Sequence, residues 1–283
     1  MSRFAYVNGR YLPHQEASTH IEDRGYQFAD GIYEVIAVVK GNFIDFQEHL
    51  DRLEYSLAEL KIPSPVPRRA LVHICQEIIR LNRLEDAMIY IQVSRGIAPR
   101  YHSFPKNPQP VLVVTTRHVN QRHLMANKAH GVAAITLLDS RWARPDIKSI
   151  SLLPNILSKQ QAEEQGCYEA ILHKADGTVT EASATNVWIV RQGGILQTHP
   201  LSHSILGGIT RQRLIKLAQQ NGIQVEEKAF TVRELKSAQE VLLSASVSGI
   251  TPVIKVDQTI IGEGKAGSVA RTLMQLYLVY TGG

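Results

Sequence analysis

The hydrophobic pattern begins as strands and then changes period. Phe4 to Leu12 reads as two strands broken at Asn8-Gly9, a favoured hairpin turn, and Gly31 to Phe46 repeats the design around Lys40-Gly41-Asn42. Leu50, Leu53, Leu57 and Leu60 then recur at helical spacing, and Pro63-Ser64-Pro65 ends that helix. A second amphipathic helix carries Leu71, Ile74, Ile78 and Leu81, and strands at Met88–Arg95 and Pro110–Thr116 follow. Arg117 to Asn127 is polar and poor in large aliphatic groups, which places a domain junction there. Beyond it the pattern predicts a strand at Val132–Leu138, a helix over Ile156–Gln165, a hairpin turning at Asp176-Gly177 and a strand near Asn186–Val190. Helices are expected at Thr210–Asn221, Val232–Ala238 and Ala266–Tyr280, with strands at Glu240–Ser246 and Pro252–Val256. The expectation is an α+β chain of two domains, 1–119 and 120–283, with the active site in the cleft between them.

Length supports that division. A chain of 283 residues is about two domains' worth and buries roughly three quarters of its unfolded surface. At 44% hydrophobic and 20% charged, it excludes disorder and collagen-like repeats. The net charge of +5 is spread along the chain, which suits small anionic substrates and argues little for nucleic acid. Two cysteines, Cys75 and Cys167, make no disulfide framework, and Cys75 lies beside a helical apolar stripe as plain core. The first residues lack the apolar stretch of a signal peptide, and no segment approaches the ~18 apolar residues of a membrane helix. A reduced, soluble, cytoplasmic protein is expected, with neither nucleic acid nor membrane as partner.

Several residues could carry chemistry. Lys148 lies between a strand and a helix and is flanked by isoleucines; dehydration there would keep its amine available as nucleophile or base. The plain alternative is a solvated loop lysine. Glu181, followed by small hydroxyl residues that lead into a strand, could hold a protonated heterocyclic nitrogen, or be an exposed turn residue. Gly207-Gly208 precedes a helix that opens Ile209-Thr210, so that its N–H groups could receive a phosphate; a diglycine that only turns the chain is the alternative. Arg52, beside Leu53 of an apolar stripe, could clamp a phosphate, or pair with Glu48 along its own helix. Arg100 and His102 sit on a loop where guanidinium and imidazole could share a carboxylate, or merely be solvated. His199 and His203 are four apart, but Pro200 breaks the alignment and no third ligand is near, so no metal is expected. No P-loop, GxSxG or GxGxxG is present.

Taken together and in order, these stretches are specific. Asp30-Gly31-Ile32-Tyr33-Glu34-Val35, His49-Leu50-Asp51-Arg52-Leu53, Asp146-Ile147-Lys148-Ser149, Gly166-Cys167-Tyr168-Glu169-Ala170, Thr180-Glu181 with Asn186-Val187, and Gly207-Gly208-Ile209-Thr210-Arg211 run over nearly the whole chain. The sequence resembles the fold-type IV pyridoxal-phosphate enzymes, and among them the D-amino acid aminotransferases. The resemblance implies a small N-terminal α/β domain and a larger, strand-rich C-terminal domain that contains Lys148 and binds pyridoxal 5'-phosphate. Lys148 would then be the Schiff-base lysine and proton carrier, and Glu181 the partner of the pyridine nitrogen. Arg52, Thr210, the Ile209 amide and Ser246 would hold the phosphate, and Leu206 would pack on the ring.

Tyr33, Arg100 and His102 stand where that family traps the substrate carboxylate, which selects the enantiomer. A homodimeric D-amino acid transaminase is implied, acting on D-alanine and 2-oxoglutarate by a ping-pong cycle, with amino and oxo acids as its small-molecule partners. Branched-chain L-amino acid aminotransferases, (R)-amine transaminases and aminodeoxychorismate lyases share the lysine and glutamate and are the alternatives. A non-catalytic basic binding module is disfavoured by the diffuse charge and the few aromatics. Ala184 and Val247 depart from the family pattern, each removing a hydroxyl near the cofactor.

Overall fold

The structure, a computed structural model, describes residues 3–282. Its contacts divide the chain into two compact units, Met1–Val119 with Ile147–Ser151, and Asn120–Asp146 with Leu152–Gly283.

The first unit opens with β1 (Phe4–Val7) and β2 (Arg10–Pro13), joined by the expected turn. Asn8 and Gly9 both have positive φ there (43° and 98°), which is the pair of conformations a two-residue hairpin turn demands. A short helix, α1 (Arg24–Phe28), is capped by the Asp23 carboxylate on the Gly25 N–H. β3 (Gly31–Val39) and β4 (Asn42–Phe43) form the second hairpin. Then come α2 (Phe46–Glu59), α3 (Arg68–Asn82), β5 (Ala87–Ser94) and β6 (Val111–His118). The strands form one antiparallel sheet in the order β2-β1-β6-β5-β3-β4. α2 packs against β3 and α3 against β6. Their apolar stripes, Leu50, Leu53 and Leu57 from α2 and Leu71, Ile74 and Ile78 from α3, join Ile32, Ile36, Ile89 and Ile91 of the sheet in one core. Cys75 lies in that core, where burial pushes its thiol up to about 12; it is structural.

The second unit begins with α4 (Gln121–His130), in the polar stretch expected to be only a junction. None of its residues is buried, so no apolar stripe marks its period in the sequence. β7 (Val132–Leu138), α5 (Leu153–Glu164), β8 (Glu169–His173), β9 (Val179–Ala182), β10 (Asn186–Arg191) and β11 (Ile195–Thr198) follow. The chain closes with α6 (Ile209–Gln220), β12 (Val225–Glu227), α7 (Val232–Lys236), β13 (Glu240–Ala245), β14 (Gly249–Val256), β15 (Thr259–Ile260) and α8 (Ser268–Thr281). These strands form a mixed sheet, ordered β12-β11-β10-β13-β14-β7-β8-β9, with β15 beside β14. The β14–β7 and β7–β8 pairs are parallel. Strands β8 and β9 are buried along almost their whole length, although Glu169, Thr180 and Glu181 are among their residues.

One segment departs from the sequence reading, which put all of 120–283 in the second domain. Ile147–Ser151, with Lys148 inside it, packs with the first unit. The Lys148 carbonyl accepts from the Tyr33 N–H (3.0 Å), Ile150 donates to the Gly31 carbonyl (3.0 Å), and Ser149 bridges Ile32. The segment satisfies its backbone along the start of β3, and Ile147 is buried in that unit's core.

Candidate active site

In the first unit the site grows out of β3. Ile32, Glu34 and Ile36 alternate along the strand and are all fully buried, so a carboxylate sits where the pattern otherwise places isoleucine. It is neutralised from α2. Arg52 donates Nε to Glu34 Oε1 (2.7 Å) and Nη2 to Oε2 (2.8 Å), and His49, one turn earlier, places Nδ1 2.7 Å from Oε2. Burial alone would raise the Glu34 pKa, but the charge and hydrogen bonds of Arg52, with His49, hold it at about 2. Burial lowers the pKa of His49; because Arg52 already offsets Glu34, the imidazole stays neutral. The Glu34 fork, from the neighbouring strand, gives Arg52 a buried carboxylate partner that its own helix does not supply. Lys148 is half-buried, with Nζ 4.1 Å from the centroid of the Tyr33 ring, and its N–H donates to Ser56 Oγ (3.2 Å). Tyr33 stacks on Tyr90, with centroids 5.7 Å apart.

Arg100 and His102 are exposed, and both rest on Phe28. The Arg100 guanidinium carbon lies 4.7 Å from that ring's centroid and the His102 ring 5.6 Å from it. The structure therefore brings these two together, whereas the ring contacts of Tyr33 are to Tyr90 and Lys148.

In the second unit, β9 carries Glu181 into the interior, with its side chain 6% exposed; it is not a solvated turn residue. Its carboxylate accepts from Asn186 Nδ2 (2.9 Å), from the Leu206 N–H (3.0 Å) and from Arg141 Nη1. Asn186 also donates to the Leu206 carbonyl (3.0 Å), so Glu181, Asn186 and Leu206 form one hydrogen-bonded unit. Arg141 forks Asp139 with Nε (3.0 Å) and Nη2 (2.8 Å), and Thr180 donates to the same carboxylate (2.7 Å). Burial works against the charged form of Arg141, yet Asp139 and Glu181 hold its pKa well above the ordinary value.

Gly208 is the N-cap of α6, which begins at Ile209 and Thr210, both buried; no side chain among the described residues caps this end and its first turn has no acid. A Cβ on Gly208 would lie 2.0 Å from Asn186 Oδ1, so only glycine permits this approach to the Glu181 cluster. Ser246 lies half-buried in the turn from β13 to β14.

Sequence reasoning gave no role to Glu34, His49, Asp139, Arg141 or Asn186. A buried glutamate in an isoleucine pattern and the Asp-x-Arg spacing of residues 139 and 141 were the available signals. The partners that join separate elements lie far apart in the chain: His49 is 15 residues from Glu34, and Arg141 is 40 from Glu181.

Taken unit by unit, the donor chemistry suits parts of a phosphorylated pyridine aldehyde. In the second unit an uncapped helix N-terminus without acidic residues favours an anion and a buried, oriented carboxylate suits a ring nitrogen; in the first unit a lysine amine suits an aldehyde.

The fold and these residues define a class, and comparison with known proteins agrees. Residues 31–256 match the amino-transferase class IV family, and the chain belongs to it. It is an aminotransferase of fold type IV. The D-alanine aminotransferase of Listeria monocytogenes serotype 1/2a is 40% identical over 277 residues, covering 96% of this chain and 94% of that one. The D-alanine aminotransferase of Bacillus licheniformis is 39% identical, with 94% and 93% covered. Among solved structures, the branched-chain amino acid aminotransferase of Escherichia coli superposes with a TM-score of 0.90 at 25% identity, over 99% of this chain and 94% of that one. A hypothetical aminotransferase of Mycobacterium tuberculosis, in a PLP-bound form, shares the fold, with a TM-score of 0.84 at 23% identity over 96% of each chain. Fold-type IV aminotransferases depend on pyridoxal 5'-phosphate.

Proposed function

We propose that this chain moves the amino group of a D-amino acid, D-alanine foremost, to 2-oxoglutarate in a ping-pong cycle. The observation that carries the reading is the Arg100–His102 pair, two residues apart on one exposed loop and resting on the same Phe28 ring. A guanidinium and an imidazole so placed can grip a carboxylate, and gripping it from one side fixes which face of Cα meets the base. Similarity to D-alanine aminotransferases supports the choice of substrate.

Bound pyridoxal 5'-phosphate would supply the electron sink. Arg52, Thr210, the Ile209 amide and Ser246 would hold its phosphate, Leu206 would pack on the ring, and Glu181 would hold the ring nitrogen protonated. Lys148 Nζ accepts the proton from substrate Cα and returns it. Tyr33, against which Lys148 rests, joins Arg100 and His102 in orienting the substrate. Glu34 grips two of the five N–H directions of Arg52 and so fixes its plane.

The working form is proposed to be a homodimer in the cytoplasm. Leu153, Ile156 and Leu157 make an exposed apolar stripe on α5 (66%, 59% and 62%), a face suited to a second copy. Both cysteines are free, and no helix among the described residues is long and apolar enough to cross a membrane.

The test is the visible spectrum of the cofactor-loaded protein. D-alanine is expected to bleach the yellow band while L-alanine and L-leucine leave it. Bleaching by L-leucine alone would transfer the assignment to branched-chain L-amino acids, and a protein that binds no pyridoxal phosphate would refute the reading.

A further inference from the structure

The loop that carries Arg100 and His102 lies between β5 and β6 and has no regular structure of its own. What holds it is a buried cluster of two arginines and one carboxylate. Arg24, on α1 and 3% exposed, donates Nε to Asp30 Oδ2 (2.7 Å). Its Nη1 donates to the carbonyls of Tyr101 (2.6 Å) and Ser103 (3.5 Å), and its Nη2 to that of His102 (3.3 Å). Arg95, 1% exposed, forks the same Asp30 with Nε (2.8 Å) and Nη2 (2.9 Å). It also donates to the carbonyls of Leu60 (2.8 Å) and Lys61 (2.9 Å), just past the end of α2. Phe104 stacks on the Arg95 guanidinium at 3.5 Å, and Phe28 receives Arg24 at 4.8 Å as well as Arg100 and His102.

The charges explain why the loop must lie there. Two buried cations share one anion, so one positive charge is left to backbone carbonyls. For Arg24 those carbonyls belong to residues 101, 102 and 103, the residues that set the direction of the Arg100 and His102 side chains. Moving the loop would strip a buried guanidinium of its partners, so loop position and burial of Arg24 are coupled. Lysine keeps the charge but not the planar fork that reaches several acceptors at once.

We propose that Arg24, with the Phe28 ring, is a positioning residue for substrate choice: it sets the loop so that Arg100 and His102 meet the substrate carboxylate. The proposal rests on the reading of Arg100 and His102 as that grip.

The experiment compares Arg24→Lys, Phe28→Leu and Arg100→Leu in the full-length, cofactor-loaded protein. It reads hydrogen exchange of the backbone amides of residues 100–104, and KM and kcat for D-alanine. Arg24→Lys is expected to speed exchange of the loop amides and raise KM by about 10-fold, with kcat within about 2-fold and the cofactor spectrum unchanged. Phe28→Leu, which leaves the buried charges in place, is expected to raise KM by at least about 3-fold and decides the matter if Arg24→Lys does not fold. Parental exchange and KM in Arg24→Lys would overturn the proposal, as would faster exchange with an unchanged KM while Arg100→Leu raises it. An unchanged KM in Arg100→Leu would refute the grip itself, and the substrate role of Arg24 with it.

Discussion

Two arginines here show how the same residue type does different work according to burial. Arg141, its side chain 5% exposed, stands between Asp139 and Glu181, and its loss would take from both largely buried carboxylates the cation they share. Arg144 forks Asp146 two residues away but is 30% exposed. Removing one partner of a buried pair costs about 3–5 kcal/mol, whereas a wet pair contributes about 0–1 kcal/mol. Arg141→Met is therefore expected to lower the unfolding free energy by at least about 3 kcal/mol and Arg144→Met by less than about 1 kcal/mol. Urea titration of the two variants checks this, and equal losses would contradict the burial argument. Glu34 works in the same way. A carboxylate among isoleucines is tolerated because Arg52 and His49 are already in place.

At the scale of elements, α6 and its approach matter most. The helix begins on Gly208 with no capping side chain among the described residues, and its N-terminus lies next to the amide of Asn186, which also holds Glu181. Gly208→Ala would put a methyl group 2.0 Å from Asn186 Oδ1, so the amide must move and its bonds to Glu181 and Leu206 weaken. The expected outcome is weaker binding of pyridoxal phosphate by at least about 10-fold, measured by absorbance titration of the cofactor-free protein, with the helical circular dichroism retained. Full cofactor affinity in this variant would show that the Gly208–Asn186 contact plays no part in the site.

For the molecule as a whole, acid is the informative variable. The folded pKa of His49 is lowered, chiefly by burial, with Arg52 and Lys148 adding to it. On acidification the unfolded chain takes up the proton first, so stability is full above about 6.5 and falls as the pH drops through that value. Glu34, lowered from 4.5 to about 2, acts with the same sign, and its contribution is lost across that lower window. The melting temperature of the cofactor-free protein is expected to fall between pH 7.5 and 5.5, and His49→Gln to flatten that slope while leaving the steeper loss below pH 4.5. An unaltered slope in His49→Gln would assign it to another group.

By itself, the sequence determined the elements whose burial leaves a periodic trace. The hairpin at Asn8-Gly9, the leucine stripe of α2, β7 and the helix behind Gly207-Gly208 all follow from local spacing and turn chemistry. It also determined the family, because motifs hold their order whatever the packing. α4 left no trace because none of its residues is buried. Only the tertiary structure decided that Lys148 packs with the first unit, since backbone hydrogen bonds to β3 outweigh proximity in the chain. It alone decided the partners of the buried charges as well: Glu34 for Arg52, Arg141 for Glu181, and Asp30 for Arg24 and Arg95. A charge must find its counter-charge once both leave water. Where the chain brings the two together is a property of the sheets and helices, and no spacing along the sequence records it.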